Sequence, residues 1–354
     1  VMGRAWVGDE AWRKGWKAYF AAHKYGNATG ADLWAALGDA SGLDVGAIMN
    51  SWLEQPGYPV VTATVNDGQL TLSQDQFFVG DGKEAGRLWQ IPLNSNYDAA
   101  PEIFKDKTVV LGDYAQLRAA SGKPFRVNVG NNSHFIVKYD DTLLTDILKD
   151  AASLDAISQL QILQDQRLLA EGRQISYAAV VPLLTQFAAS KRAVVNTALY
   201  QVAGNLKKFV DPESAEEKQL QAFFNKLSAD QVARLGWTAQ KGESNDDQLT
   251  RPYVLSAALY AQNKDAIADA HKLFATNADK LAELPADTRG FILANEIKHF
   301  GNETLFDQLL ADYRSTSDAS YKNDIRGALT CTPDANLITK LIGKFEDADT
   351  IKPQ

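Results

Sequence analysis

Residues 23–34 read HKYGNATGADLW, and residues 52–61 read WLEQPGYPVV. The first stretch closes one helix and opens another. Gly26 supplies a stop, Thr29 a cap, and Asp32 an acidic partner three residues on. The second stretch ends a helix at Pro56-Gly57 and begins a strand. The chain thus opens with a finished set of helices and only then enters a β segment. Trp12, Trp16, Tyr19 and Phe20 recur at helical spacing and predict a helix over 9–25. Leu33, Trp34 and Leu37 give the next helix an apolar side. Val45, Ile48, Met49, Trp52 and Leu53 mark a third with one buried face.

Residues 58–79 alternate in the manner of strands, with a hairpin turn at Asn66-Asp67-Gly68. Strand-like runs recur at 88–93, 107–111, 125–129 and 135–139, separated by Gly, Asn, Asp and Ser. This spacing predicts a small β-sandwich over 55–139. From residue 143 the pattern is helical to the end. Helices are predicted at 143–170, 176–189, 192–208, 213–226, 228–235, 248–262, 264–276, 288–299, 303–313, 319–330 and 333–343. Pro212 and Pro333 are placed at first helical positions, and Ser228 with Gln231 forms a capping box. Successive short helices, each with one apolar face, predict a helical-repeat domain. The fold class is mixed and multi-domain. Residues 1–54 form a helical end piece, 55–139 an all-β sandwich, and 140–354 an all-α, superhelical domain.

The composition is that of an ordinary globular protein. Of 354 residues, 45% are apolar and 23% charged, enough for real cores, and the formal net charge is −8. This mildly acidic balance exerts no general pull toward nucleic acid or an anionic membrane. No stretch reaches about 18 uninterrupted apolar residues, so no membrane span is expected. Cys331 is the sole cysteine, which excludes an intrachain disulfide and fits a reducing, cytoplasmic setting.

The chemistry-bearing residues form no complete constellation. His23, His134, His271 and His299 are the only histidines, and no His-Glu-x-x-His occurs. His299 and Glu303 are four apart, but Gly301 interrupts them and the segment reads as a polar helix end. No Gly-x-Ser-x-Gly and no phosphate-binding loop is present. Cys331 stands just ahead of a helix start, where a thiol pKa would fall, yet no histidine is near in sequence. The acidic pairs at 140–141, 216–217 and 246–247 read as capping groups. In GESNDDQLTR, 242–251, Asp247 and Arg251 are i, i+4 apart, which predicts a salt bridge between them. The alternative places Arg251 in a concavity, holding a carboxylate of a substrate. No catalytic, cofactor-binding or metal-ligating residue is assigned. The tryptophans at 6, 12, 16, 34, 52, 89 and 237 are expected in cores.

Several ordered motifs resemble one family. Tyr19-Phe20-x-x-His23-x-Tyr25-x-Asn27-Ala28-Thr29-x-x-Asp32-Leu33-Trp34 resembles the end of the catalytic domain of the aminopeptidase N family of zinc aminopeptidases. So does Ser41-Gly42-x-Asp44-Val45, followed by Met49-x-x-Trp52-x-x-Gln55-x-Gly57-Tyr58-Pro59-Val60. Trp89-x-Ile91-Pro92-Leu93 resembles the β-sandwich domain of that family. Leu235-Gly236-Trp237, then Gly242-Glu243-Ser244, Asp247 and Arg251, is similar to its C-terminal helical domain. Asp165, Gly172, Ile175, Tyr177 and Leu183 match the first helices of that domain, and ISQLQILQDQRLLAEG is similar to lactic-acid-bacterial members. In this family the zinc motif, a downstream glutamate ligand, a Gly-Ala-Met-Glu-Asn motif and a catalytic tyrosine precede the HKYGNAT region. None occurs in these residues, and the family's helical domain usually runs on further. The resemblance implies a C-terminal fragment without the zinc-binding core, with zinc and the chemistry in a missing catalytic domain.

Two readings follow. In the first, the chain is the non-catalytic part of a zinc-dependent aminopeptidase acting on peptides. Residues 1–54 pack beneath the catalytic domain, the sandwich is a spacer, and the helical domain covers the site and limits access. The chain alone is then inactive, and its partners are the missing catalytic domain and, through the parent enzyme, peptides. In the second, it is a stand-alone helical-repeat module binding peptides or a protein. An independent hydrolase would require catalytic groups that the sequence does not supply.

Overall fold

The computed structural model describes residues 1–149 and 151–344. The expectation that helices continue to residue 354 concerns, beyond 344, residues outside that range. Two compact units divide the chain, Val1–Phe187 and Ala188–Gln354.

The first unit opens with helices α1 (Met2–Val7), α2 (Asp9–Ala22), α3 (Gly30–Ser41) and α4 (Val45–Leu53). Their boundaries follow from local chemistry. The Asp32 carboxylate accepts from the Thr29 backbone N–H at 2.7 Å and from its hydroxyl at 2.8 Å, closing the expected capping box. Those bonds, the backbone one foremost, hold the Asp32 carboxyl below the usual carboxylate range. Asp44 caps α4 by accepting from the Ala47 N–H at 2.9 Å. The stop after α2 falls earlier than Gly26. The helix ends at Ala22, and it is Tyr25, at φ 59°, that takes the left-handed conformation. Val7, Leu37 and Val45 form the buried centre of this helical group, with Trp6, Trp12, Trp16, Leu33, Trp34 and Met49 half-covered around it. At the α2–α3 crossing the chain passes so close that a Cβ on Gly15 would lie 2.7 Å from Leu37 Cδ2 and 2.9 Å from its Cα.

The β segment follows as β1 (Pro59–Asn66) and β2 (Gln69–Gln76), paired antiparallel with Asn66 opposite Gln69. Asp67 and Gly68 both have positive φ, 48° and 77°, which is the type I′ turn that suits a two-residue hairpin. β3 (Ile91–Pro92) and β4 (Ile103–Phe104) make a two-stranded ribbon. β5 (Thr108–Asp113) adds antiparallel to β2, and β6 (Ile136–Tyr139) adds parallel to β1, giving the order β5-β2-β1-β6. Helix α5 (Tyr114–Ser121), absent from the sequence expectation, lies between the last two strands. Side chains alternate across the sheet as the pleat requires. Val61, Ala63, Leu70, Leu72 and Val137 meet Trp89, Ile91, Leu93, Phe104, Phe125 and Val127 in one core. Val60 and Ile136 point the other way, onto Leu169 and Phe77.

The sheet is smaller than the alternation predicts, for a physical reason. Residues 88–90 spend their backbone groups on side chains instead of a neighbouring strand. Gln74 accepts from Trp89 N–H at 2.9 Å and donates to its carbonyl at 3.1 Å. Trp52 Nε1 donates to Gln90 O at 3.0 Å, and Ser51 Oγ accepts from Gln90 N–H at 3.1 Å. Residues 125–129 run beside 93–96, but Asn94 and Asn128 sit at φ 45° and 54°, which breaks the ladder.

The first unit closes with α6 (Asp141–Leu148), α7 (Ala156–Glu171) and α8 (Val181–Phe187). The single helix expected at 143–170 is therefore two. Asp155 caps the second, accepting from Ser158 N–H at 3.0 Å. Gly172 ends α7 against the Phe77 ring and the Phe78 carbonyl.

The second unit holds α9 (Ala193–Asn205), α10 (Ala215–Leu235), α11 (Asn245–Tyr260), α12 (Lys264–Thr276), α13 (Ala286–Phe300), α14 (Glu303–Ser315), α15 (Ala319–Leu329) and α16 (Ala335–Ile342). Helices near one another in sequence pack together: α10 and α9 on α11, α12 and α15 on α13, and α14 on α15. A continuous core runs from Trp237 and Leu255 through Phe274, Leu293 and Phe306 to Leu337. The helices expected at 213–226 and 228–235 are one. Ser228 is mid-helix and donates to Phe224 O at 2.9 Å, while Gln231 donates to the carbonyls of Ala188 and Ser190. Pro212 and Pro333 lie outside their helices, whose caps are Ser214 and Asp334.

Gly15→Ala should destabilise the α1–α4 group by about 1–3 kcal/mol, because the closest atoms include Leu37 backbone that cannot give way. Tryptophan-fluorescence unfolding in urea checks this; Gly30→Ala, where the nearest atom is 3.4 Å away, serves as the tolerant control.

Candidate functional site

The position singled out for a substrate carboxylate, Arg251, is closed. It lies on α11, 1% exposed, with its Nη2 on the Glu243 carboxylate. Its Nε donates to Gly236 O at 3.2 Å and its Nη2 to Leu235 O at 3.3 Å, the carbonyls ending α10. Glu243 is buried too, so the pair is desolvated and holds the α10–α11 corner together. Within this corner the chain's own Glu243 occupies the place of an incoming carboxylate. The expected Asp247–Arg251 bridge does not form. Arg251 faces inward, whereas Asp247, in the first turn of α11, meets Arg234 of α10 at 2.5 Å. Ser244 caps the helix between them, accepting from Asp247 N–H at 3.1 Å. Helical spacing alone could not reveal this, because Glu243 precedes the helix that carries its partner.

The four histidines lie apart. His23 is the C-terminal cap of α2, and its ring lies 5.2 Å from Tyr19. His134 packs against Tyr58, ring centres 4.9 Å apart. His271 Nδ1 lies 2.8 Å from the buried Glu296 carboxylate and stacks on Phe300 at 3.9 Å. His299 ends α13, where burial and then Lys298 push its pKa down. Glu303 opens α14 and pairs with Lys340 at 3.0 Å instead of approaching His299. Among the described residues no three His, Cys, Asp or Glu side chains converge as a metal ligand set. These residues therefore do not fit the zinc that the resemblance implies. Cys331 sits just past the end of α15, and the cap of the next helix is Asp334, not the residue beside Cys331 as expected. Its thiol donates to Gly327 O at 3.3 Å, and burial pushes its pKa up.

The other notable surface lies on α2–α4. Along α2 the rings of Trp12, Trp16, Tyr19 and Phe20 contact one another at 5.4–5.9 Å, yet Phe20 is 62% exposed and Tyr25 97%. Trp89 and Trp237 are buried as expected, but Trp6, Trp12, Trp16, Trp34 and Trp52 are only half-buried. Grooves follow both sides of α3, one floored by Ala31, Ala35 and Gly38 and the other by Ala18, Ala36 and Ala40. This face can accept a further packed layer.

Together, the helical second unit, the β segment before it and the helical opening define a class. The ERAP1-like C-terminal domain family matches residues 125–354, and the chain belongs to that family. The Peptidase family M1 domain matches residues 1–52. The particular relatives are aminopeptidases. The chain is 57% identical to Aminopeptidase N of Lactobacillus helveticus and 54% to that of Lactobacillus delbrueckii subsp. lactis. It is 29% identical to Aminopeptidase M1 of Arabidopsis thaliana. Each match covers 100% of this chain and 42% of the relative. The resemblance to the aminopeptidase N family thus holds from end to end. No described helix is long and apolar enough to cross a membrane.

Removing one side of the buried pair, by Glu243→Ala or Arg251→Ala, should cost about 3–5 kcal/mol of stability, since the other charge is left without its partner. Asp247→Ala should cost under about 1 kcal/mol, because its pair with Arg234 is partly solvated. Thermal denaturation of the three variants side by side checks the order.

Proposed function

We propose that these residues serve as the non-catalytic C-terminal part of a zinc-dependent aminopeptidase that removes N-terminal residues from peptides. The observation that carries this reading is the half-covered aromatic face of α2–α4, within residues that match the M1 peptidase domain. The catalytic part of the parent enzyme packs on that face. The three domains expected from sequence, 1–54, 55–139 and 140–354, then have separate tasks: docking, spacing, and covering the active site so that access is limited. Zinc belongs to the catalytic part and not to these residues. Peptides reach the chain only through the parent enzyme, which is cytoplasmic.

A second reading, a stand-alone helical-repeat module for peptides or a protein, draws on the continuous core of the second unit. The exposed aromatics of the first unit speak against it, because a self-sufficient module buries such groups.

The chain purified with zinc present should bind no stoichiometric metal and should not hydrolyse amino-acid anilides. Metal analysis and a chromogenic rate assay on one preparation check this together. One zinc per chain with turnover would overturn the reading and place a catalytic site within these residues.

A further inference from the structure

Helix α7 presents a polar seam to the β segment. Ser158, Gln161 and Asp165, at i, i+3 and i+7, are all buried. Each meets a group of the β segment. Arg126 donates to Ser158 Oγ, Gln161 Nε2 to Val127 O at 3.5 Å, and the Val137 N–H to Asp165 Oδ2 at 3.2 Å. Val137 lies on β6, the edge strand, so Asp165 satisfies an N–H that points away from β1. Beside the seam, Leu169 closes over Val60, Phe77 and Ile136.

The charges around Asp165 are spent elsewhere. Arg126 is held by Ser158. Arg167, on the same helix, pairs with Glu171 at 2.8 Å. Tyr139 of β6 uses its hydroxyl to accept from Val127 N–H at 3.0 Å, and Tyr58, ahead of β1, adds a neutral phenol. Among the described residues no Lys, Arg or His forms a salt bridge with Asp165. A buried carboxylate that accepts a backbone N–H and the Gln161 side-chain amide but lacks a cation is poorly stabilised in its charged form.

We propose that Asp165 is a proton-operated latch: the seam between α7 and the sheet edge is closed while its carboxyl carries a proton, and loosens when the proton leaves to solvent. Burial pushes this carboxyl well above the usual carboxylate range, against the opposing hydrogen bonds of Val137 and Gln161. A carboxyl raised in the folded state contributes stability that is full below the ordinary carboxylate range. That stability is lost as pH rises through the raised value. The latch therefore opens on the alkaline side, and acid does not open it.

Amide exchange at Val137, followed by NMR from about pH 4 to about pH 10 in the full chain and in Asp165→Asn, tests the latch. Between the ordinary carboxylate range and the raised carboxyl pKa the wild-type rate should climb about a hundredfold per pH unit, about tenfold from base-catalysed exchange and about tenfold from opening, and above the raised pKa it should climb about tenfold. Asp165→Asn should climb only about tenfold per unit. Parallel slopes in the two proteins over the whole range would overturn the proposal. Should Asp165→Asn fail to fold, the carboxyl carbon shift of Asp165 in the wild type decides. An acid that stays protonated above the ordinary carboxylate range supports the latch, and a carboxylate that ionises within that range overturns it.

Discussion

The first four helices carry more aromatic surface than they bury against one another, and that imbalance governs how this chain is to be understood. Only Val7, Leu37 and Val45 reach the centre of their cluster, while five tryptophans remain half-buried. Apolar area left in water weakens the driving force for folding at about 25 cal/mol per Å². Large exposed apolar faces usually mark a packing surface. The match of residues 1–52 to a peptidase domain gives that surface a chemical context.

The rest of the first unit is held to these helices by hydrogen bonds. Ser51, Trp52 and Gln55, at the end of α4, bond to the backbone of residues 88–90, and Gln74 of β2 holds the same stretch from the sheet side. This places Trp89, Ile91 and Leu93 in the core, although the segment has only two residues of strand. On the opposite sheet face α7 is fixed by its polar seam. Buried polar groups that find partners define one arrangement where apolar packing alone would tolerate several.

Much of this was legible in the residues. Thr29 with Asp32 and the Asp67-Gly68 turn act through bonds and backbone angles that span at most four positions, so sequence displays them directly. The inward alternation of Trp89, Ile91 and Leu93 was also visible, though not that the backbone of residues 88–90 serves side chains. What sequence concealed depends on distant partners. Ser228 and Gln231 have the form of a capping box, yet the carbonyls of Ala188 and Ser190 draw Gln231 away and α10 continues through. Arg251 and Asp247 have salt-bridge spacing, yet each finds a nearer ion across the α10–α11 corner. The site offered fewer signals still, because a docking face is recognised by what it leaves uncovered.

The most direct test is sedimentation of this chain mixed with the separately prepared zinc-binding portion of a related aminopeptidase N. The account predicts a one-to-one complex, lost when Phe20 and Trp16 are replaced by serine and glutamine. A chain that stays a monodisperse monomer beside the zinc-binding portion, with no complex formed, would contradict it.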